Sequence, residues 1–154
     1  NVVGLTLLKS GRYPNPVADR EVHEAVYSLL PHMGSWQEAE VVAEAYQLNN
    51  PLVAVVPQQK QNTLPERYSI VSHDHRNIMV ESVKKAEELD ATVIRLYEFE
   101  NTKTNVTLKL GSTAKKIWLC NLMEEKQTLL AENTDTVSLI ADPFGIETLL
   151  IEEN

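Results

Sequence analysis

The sequence predicts an all-β domain of the β-sandwich type with one short helix near residues 36–48. Val106, Leu108 and Leu110 alternate with polar neighbours, and this period of two is typical of a strand with one buried face. Further short apolar runs are separated by turn-forming residues at intervals of roughly 8–15 residues, a spacing that favours a sandwich over βαβ units. A capping signal between two such runs indicates the single helix.

The first third of the chain contains three candidate strands. Val2–Lys9, His23–Leu30 and Leu52–Val56 are rich in apolar and β-branched residues over strand-like lengths. The stretch 12–16 contains two prolines, which restrict their neighbours and cannot donate to a sheet, so it is expected to be an extended loop.

The helix is indicated by Ser35-Trp36-Gln37-Glu38, which has the form of a capping box. Trp36, Ala39, Ala43 and Tyr46 then fall on one helical face, and an Asn-Asn-Pro sequence ends the pattern. Trp36 is therefore expected in the core, and so is Trp118, because it lies in an apolar strand.

The rest of the chain reads as strands after a linker. Gln58–Glu66 is rich in Gln and bounded by prolines, which predicts a sub-boundary near residues 57–68. Val83–Leu89 is ambiguous, because helix-forming residues stand there between strand patterns. The expected strands beyond the 106–110 alternation are Val93–Phe99, Lys116–Leu122, Thr136–Ala141 and Ile146–Ile151.

Composition limits the classes of partner. The chain has 154 residues with 22 acidic and 14 basic side chains, so its net charge of −8 argues against nucleic acid or an anionic membrane as a partner. Its apolar runs are far shorter than the roughly 20 residues of a membrane span. A single cysteine, Cys120, cannot form an internal disulfide, and no signal peptide is recognisable. We therefore expect a cytoplasmic protein.

The residues alone assemble no catalytic or metal site. His73-Asp74-His75 places two imidazoles on one side of a strand, but a metal site would need a third ligand from elsewhere. No Gly-x-Ser-x-Gly elbow is present, Cys120 lies in an apolar strand, and most of the paired glutamates are expected on solvated faces. The loop 17–23 differs, because it concentrates charge and an imidazole after a proline-stiffened segment.

Several segments together resemble the C-terminal region of glycoside hydrolase family 38 α-mannosidases, in the same order and over nearly the whole chain, from about residue 3 to 151. The likeness is to the cytosolic, vacuolar and bacterial branch of that family. The segments are Leu5–Lys9, Pro16–His23, Tyr27–Trp36, Ala45–Leu52, Val83–Glu87, Val93–Glu98, Cys120–Glu125 and Pro143–Leu149.

The resemblance implies that residues 1–154 are the last part of a galactose mutarotase-like sandwich region in a larger enzyme. That enzyme would be a retaining exo-α-mannosidase, acting on terminal non-reducing α-D-mannose. Its nucleophile and its zinc, or another divalent metal, would lie in an upstream catalytic domain that this chain lacks. The chain alone would then hold no catalytic residue and no metal, and would be inactive.

The resemblance also nominates substrate-binding residues. The family loop similar to Ala18-Asp19-Arg20 lies toward the catalytic domain, which nominates Asp19, Arg20 and His23 at the rim of the sugar pocket. The expected partners are that catalytic domain and a mannoside or oligosaccharide.

Two other classes of function stay open at this point. One is a free-standing carbohydrate-binding β-sandwich, although the aromatic content of 6% offers few sugar platforms. The other is a protein-interaction domain, which would leave an apolar patch uncovered.

Overall fold

The structure, a computed structural model, describes residues 2–56 and 65–153. The chain forms two compact units, Asn1–Val53 and Ala54–Asn154, and each is described by itself. Most of the predicted linker 58–66 lies outside the described residues, so the sub-boundary near 57–68 stays a prediction.

The first unit contains one helix, α1, at Val41–Asn49. The predicted capping box does form: the Glu38 carboxylate accepts from the Ser35 amide at 2.7 Å, and the Ser35 hydroxyl accepts from the Glu38 amide at 3.2 Å. It closes a separate turn, however, because Glu40 adopts a left-handed backbone with φ 50°. The prediction of a helix from residue 36 was therefore wrong by one turn, since a left-handed residue interrupts the helical hydrogen-bond ladder.

The strands predicted at Val2–Lys9, His23–Leu30 and Leu52–Val56 are not formed in the structure. Among the described residues 2–56, none is buried. A strand needs a neighbouring strand to hydrogen-bond its backbone, and these segments have β-rich sequences without such a neighbour. The sequence pattern correctly identified apolar segments, but the prediction that they pair into a sheet was wrong. Trp36 is 40% exposed, so its predicted place in the core was also wrong.

The second unit is a curled antiparallel sheet of six strands. The strands are β1 Val71–Ser72, β2 Ile78–Lys85, β3 Thr92–Glu98, β4 Thr104–Cys120, β5 Lys126–Ala141 and β6 Ile146–Glu152. The strand order is β1-β4-β6-β3-β2, and β5 pairs with the other edge of β4.

The strands predicted in this unit are formed, but β5 begins at Lys126 and not at the predicted Thr136. Two further differences concern β4 and the segment that follows β2. Val106, Leu108 and Leu110 are buried while their neighbours are exposed. The strand predicted at Lys116–Leu122 continues from this alternating segment as one long strand, β4. The ambiguous segment Val83–Leu89 is strand up to Lys85 and a turn thereafter.

The curl of the sheet depends on an irregularity in the middle of β4. The pairing of β4 with β5 breaks between Lys109 and Ala114. Gly111 lies in this break, and a Cβ there would meet the Ser69 carbonyl oxygen at 2.4 Å, so only glycine fits. The first half of β4 can thus pair with β1 and its second half with β6, and both halves bury side chains in one core.

One carboxylate is buried at the end of β3. Glu98 is 1% exposed, and its oxygens accept from the Asn77 side chain at 2.9 Å, the Glu100 amide at 2.8 Å and the Phe144 amide at 3.0 Å. Glu98 is thus an exception to the expectation that most of the paired glutamates lie on solvated faces. Its hydrogen bonds fasten the β3–β4 and β5–β6 loops to the sheet.

Candidate functional site

The candidate loop, residues 17–23, follows a compact turn. The Asn15 side-chain oxygen accepts from the Val17 amide at 3.1 Å, and the Ala18 amide donates to the Asn15 carbonyl at 3.3 Å. Asn commonly starts turns in this way, because its side chain mimics a backbone acceptor. The turn ends at Asp19.

Asp19 and His23 are brought together by the backbone. Asp19 has φ 55°, a left-handed conformation that Asp tolerates better than most residues. Its carbonyl oxygen accepts from the His23 Nε2 at 2.9 Å, which requires the tautomer protonated at that nitrogen. The imidazole thus closes the loop over four residues, and one of its nitrogens is already engaged.

The side chains of Asp19 and Arg20 project from this loop into solvent. Both residues are exposed, and neither forms an ion pair with any residue in 2–56 or 65–153. A carboxylate and a guanidinium on adjacent positions can accept from and donate to the neighbouring hydroxyls of a sugar. The substrate-binding assignment of Asp19, Arg20 and His23 stays a prediction that this geometry permits.

The histidine pair at His73 and His75 is committed to local contacts. The His73 Nδ1 accepts from the His75 amide at 3.3 Å, and the His75 Nε2 lies 3.6 Å from an Asp74 carboxylate oxygen. Burial and the neighbouring His75 lower the pKa of His73. Within the described ranges, no group of three His, Cys, Asp or Glu side chains could hold a metal ion. Among the described residues, His73 and His75 therefore lack the further protein ligands that a zinc site requires.

Cys120 lies in the core, as its apolar surroundings predicted. It is 6% exposed, and burial raises the pKa of its thiol. A thiol that is held protonated and shielded from solvent is a poor nucleophile.

Trp118 offers no open aromatic platform. It is half-buried, the ammonium groups of Lys116 and Lys126 lie 5.8 and 5.3 Å from its ring centroid, and its Nε1 donates to Glu152 at 3.2 Å. A sugar could stack on this ring only by displacing the lysines.

Comparison with protein families decides the class of the β-sheet unit. Residues 77–149 match the family described as glycosyl hydrolases family 38 C-terminal beta sandwich domain. Residues 77–149 belong to this family. The resemblance and the β-sandwich fold class drawn from the sequence are thereby confirmed, and the matched range runs from the start of β2 into β6.

Curated relatives of this family 38 domain extend the similarity over the candidate loop. The chain is 32% identical over 157 residues to alpha-mannosidase 2C1 of Mus musculus and to alpha-mannosidase 2C1 of Homo sapiens, covering 98% of the chain and 15% of each relative. It is 32% identical over 158 residues to alpha-mannosidase G of Dictyostelium discoideum, covering 99% of the chain and 14% of the relative. The chain thus spans about one seventh of the length of these proteins.

In the part of the chain that the structure describes, no helix is long and apolar enough to cross a membrane.

Proposed function

We propose that this chain is the accessory C-terminal part of an α-mannosidase that hydrolyses terminal non-reducing α-D-mannose residues in the cytoplasm. The chain packs on an upstream catalytic domain of the same polypeptide, and it is inactive alone. Its loop 17–23 lines the rim of the sugar pocket. The similarity to three α-mannosidases over nearly the whole chain supports this assignment.

The observation that carries the proposal is the uncovered apolar surface of residues 2–56. None of these residues is buried. Five large apolar side chains among them are between 61% and 103% exposed: Leu5, Leu7, Leu29, Leu52 and Val53. Exposed apolar patches of this kind mark interaction surfaces. Strand-forming sequences that lack a partner strand also need one from another segment. Both requirements are met if another part of a longer enzyme covers residues 2–56.

The chemistry of hydrolysis belongs to the catalytic domain in this proposal. The resemblance implies a retaining mechanism with two carboxylates, and a zinc or other divalent ion there would bind the sugar hydroxyls. This chain contributes orientation of the substrate: Asp19 accepts from one hydroxyl and Arg20 donates to its neighbour. His23 holds the backbone that carries them.

The packing part of the proposal is tested by amide hydrogen exchange of residues 2–56. We expect fast exchange in the 154-residue chain and slow exchange in the longer polypeptide that carries the catalytic domain, because docking buries these backbone groups. Equal exchange in both proteins would contradict the proposed packing.

The pocket part is tested by Arg20→Ala in the longer polypeptide. We expect kcat/KM for an aryl α-mannoside to fall about tenfold or more, which corresponds to about 1.4 kcal/mol of transition-state binding. Arg12→Ala is the matched control, because Arg12 is an exposed arginine in the same unit. An equal effect of the two variants would return Arg20 to an ordinary solvated position.

Asp19→Asn gives an independent test of the loop in the same assay, and kcat/KM for the aryl α-mannoside is again expected to fall. Asn tolerates the left-handed backbone at this position, so the variant removes the charge and leaves the loop conformation in place. Glu21→Gln removes a neighbouring exposed charge and serves as its control. Saturable binding of mannose to the 154-residue chain by itself would instead favour a free-standing carbohydrate-binding module.

A further inference from the structure

A cavity of about 470 Å³ lies where β6 extends beyond the end of β4. The last pair between these strands joins Cys120 to Thr148, so Ile146 and Glu147 have no partner on β4. They pair only with β3 on their other side. The missing strand neighbour leaves the space that the cavity occupies.

Glu147 is the only charged residue that lines this cavity within the described part of the chain. Its carboxylate is half-buried, and within residues 2–56 and 65–153 it forms no hydrogen bond or ion pair. Burial, together with the negative charge of Asp142, raises the pKa of Glu147. A carboxylate partly removed from water without a partner is unfavourable, and a cation beside it would relieve that cost.

The rim of the cavity is apolar and open. Leu122, Met123 and Ile146 are 59%, 79% and 56% exposed, although each is a large hydrophobic residue. Gln127 and Asn121 supply neutral amides to the lining. The site thus combines one half-buried negative charge with aliphatic walls, which fits a side chain that has an aliphatic stem and a cationic end.

Other occupants fit less well. A metal ion would find one carboxylate, whereas such ions require several ligands. A sugar would find no aromatic platform, since no aromatic residue among those described lines the cavity.

We propose that the cavity receives an arginine or lysine side chain from a segment of the longer polypeptide outside these 154 residues. The basic group pairs with Glu147, and the flanking residues of that segment cover Leu122, Met123 and Ile146. The inference rests on the proposed function, in which this chain is part of a longer polypeptide. About six sevenths of the length of the relatives lies outside the region that this chain matches, and such a region could supply the basic segment. It adds the chemistry of the contact and its location on the β-sheet unit.

Hydroxyl-radical footprinting of Met123 tests the proposal, because oxidation reports the exposure of this side chain directly. In the 154-residue chain we expect ready oxidation of Met123. In the longer polypeptide we expect Met123 to be oxidised about tenfold more slowly. We expect the Glu147→Gln variant to lose this protection, because it leaves the interfacial cation unpaired and so weakens docking. Glu88→Gln is the control: Glu88 is an exposed glutamate on the β2–β3 turn, and we expect its variant to keep the protection.

Three results would overturn the proposal. Met123 oxidised equally in both proteins would show that the cavity is uncovered, and protection that survives Glu147→Gln would show that no ion pair is involved. Protection that grows with the concentration of the 154-residue chain would identify a second copy as the occupant. Far-UV circular dichroism of Glu147→Gln shows whether this variant is folded. Footprinting of Leu122 in the exposed-site variant Met123→Ala shows whether the cavity is still covered. Together the two measurements separate lost docking from lost folding.

The failure of this inference can be told apart from failure of the proposed function. Aryl α-mannoside turnover is measured on the same preparations of the longer polypeptide. Turnover with unprotected Met123 overturns the cavity proposal alone. Absence of turnover together with protected Met123 overturns the assignment as an α-mannosidase and leaves the docking contact in place.

Discussion

Replacement of Glu98 by Gln tests the account of how the sheet holds its loops. The carboxylate accepts from Asn77 and Glu100 at one oxygen and from Phe144 at the other. Gln has nearly the same shape but only one acceptor oxygen. Whichever way the amide is turned, its NH₂ group therefore faces at least one N–H donor.

The magnitude follows from the more favourable orientation of the introduced amide. In that orientation the amide oxygen still accepts from the Asn77 side chain and the Glu100 amide. The variant then loses the charge-assisted bond of 3.0 Å from the Phe144 amide, which is left without an acceptor. Charge-assisted bonds contribute about 1.5–3 kcal/mol and an unsatisfied buried donor costs about 1–3 kcal/mol. Because these two figures partly describe the same loss, we expect destabilisation of about 2–4 kcal/mol near neutral pH.

The effect of Glu98→Gln depends on pH with a definite sign. Burial by itself raises the pKa of Glu98, but the hydrogen bonds from the Phe144 amide, the Asn77 side chain and the Glu100 amide outweigh it, so the pKa lies below the ordinary value of 4.5. A carboxyl group with a lower pKa in the folded state stabilises the protein above its unfolded pKa, and this contribution is lost as pH falls through the folded pKa. The difference between wild type and variant should therefore shrink below pH 4.5.

The assay is urea unfolding followed by Trp118 fluorescence in a Trp36→Phe background, so that only the β-sheet unit reports. Glu88→Gln is the control, and an exposed residue of this kind should change stability by less than about 0.5 kcal/mol. Equal midpoints for Glu98→Gln and Glu88→Gln at neutral pH would show that the Glu98 hydrogen bonds do not stabilise the sheet. So would a difference from wild type that grows as the solution is acidified.

Three further predictions concern local geometry. Gly145→Ala should lower stability by about 1–3 kcal/mol in urea unfolding, because its Cβ would lie 2.8 Å from a backbone carbonyl oxygen; Gly11→Ala, whose nearest such contact is 3.6 Å, should be nearly neutral. Ser35→Ala should speed exchange of the amide that donates to its hydroxyl by about fivefold, equivalent to about 1 kcal/mol, and unchanged exchange in NMR would contradict the capping contact. Cys120 should resist iodoacetamide in the folded chain and react in urea, because it is 6% exposed and its pKa is raised. Rapid labelling of the native chain would show that the thiol is accessible.

The β-sheet unit was predictable from sequence because it contains its own partners. The alternation at Val106, Leu108 and Leu110 reports a strand whose polar face meets solvent, and the core forms from residues of the same unit. The buried role of Glu98 was not predictable. Its burial depends on donors from Asn77 and from two loops, and no local pattern announces that convergence.

Residues 2–56 show the limit of local patterns. Leu52–Val56 has the composition of a buried strand, yet its described side chains are exposed, because pairing depends on a neighbour and not on composition. The helix start at Val41 was missed for a related reason. The capping box at Ser35 is real, but the left-handed Glu40 that follows it has no sequence signal of the kind that Gly would give. The candidate loop stood out by its charge and imidazole, and family resemblance nominated its substrate-binding role. Its brace from His23 to Asp19 became visible only in the structure.

Turnover of an aryl α-mannoside in the presence of zinc tests whether this chain is the non-catalytic part of an α-mannosidase. The 154-residue chain and the longer polypeptide that carries the catalytic domain are assayed in parallel at equal concentration. We expect turnover by the longer polypeptide and none by the 154 residues. Turnover by the 154-residue chain alone would contradict this expectation, and would place an active site among residues to which this structure gives structural roles.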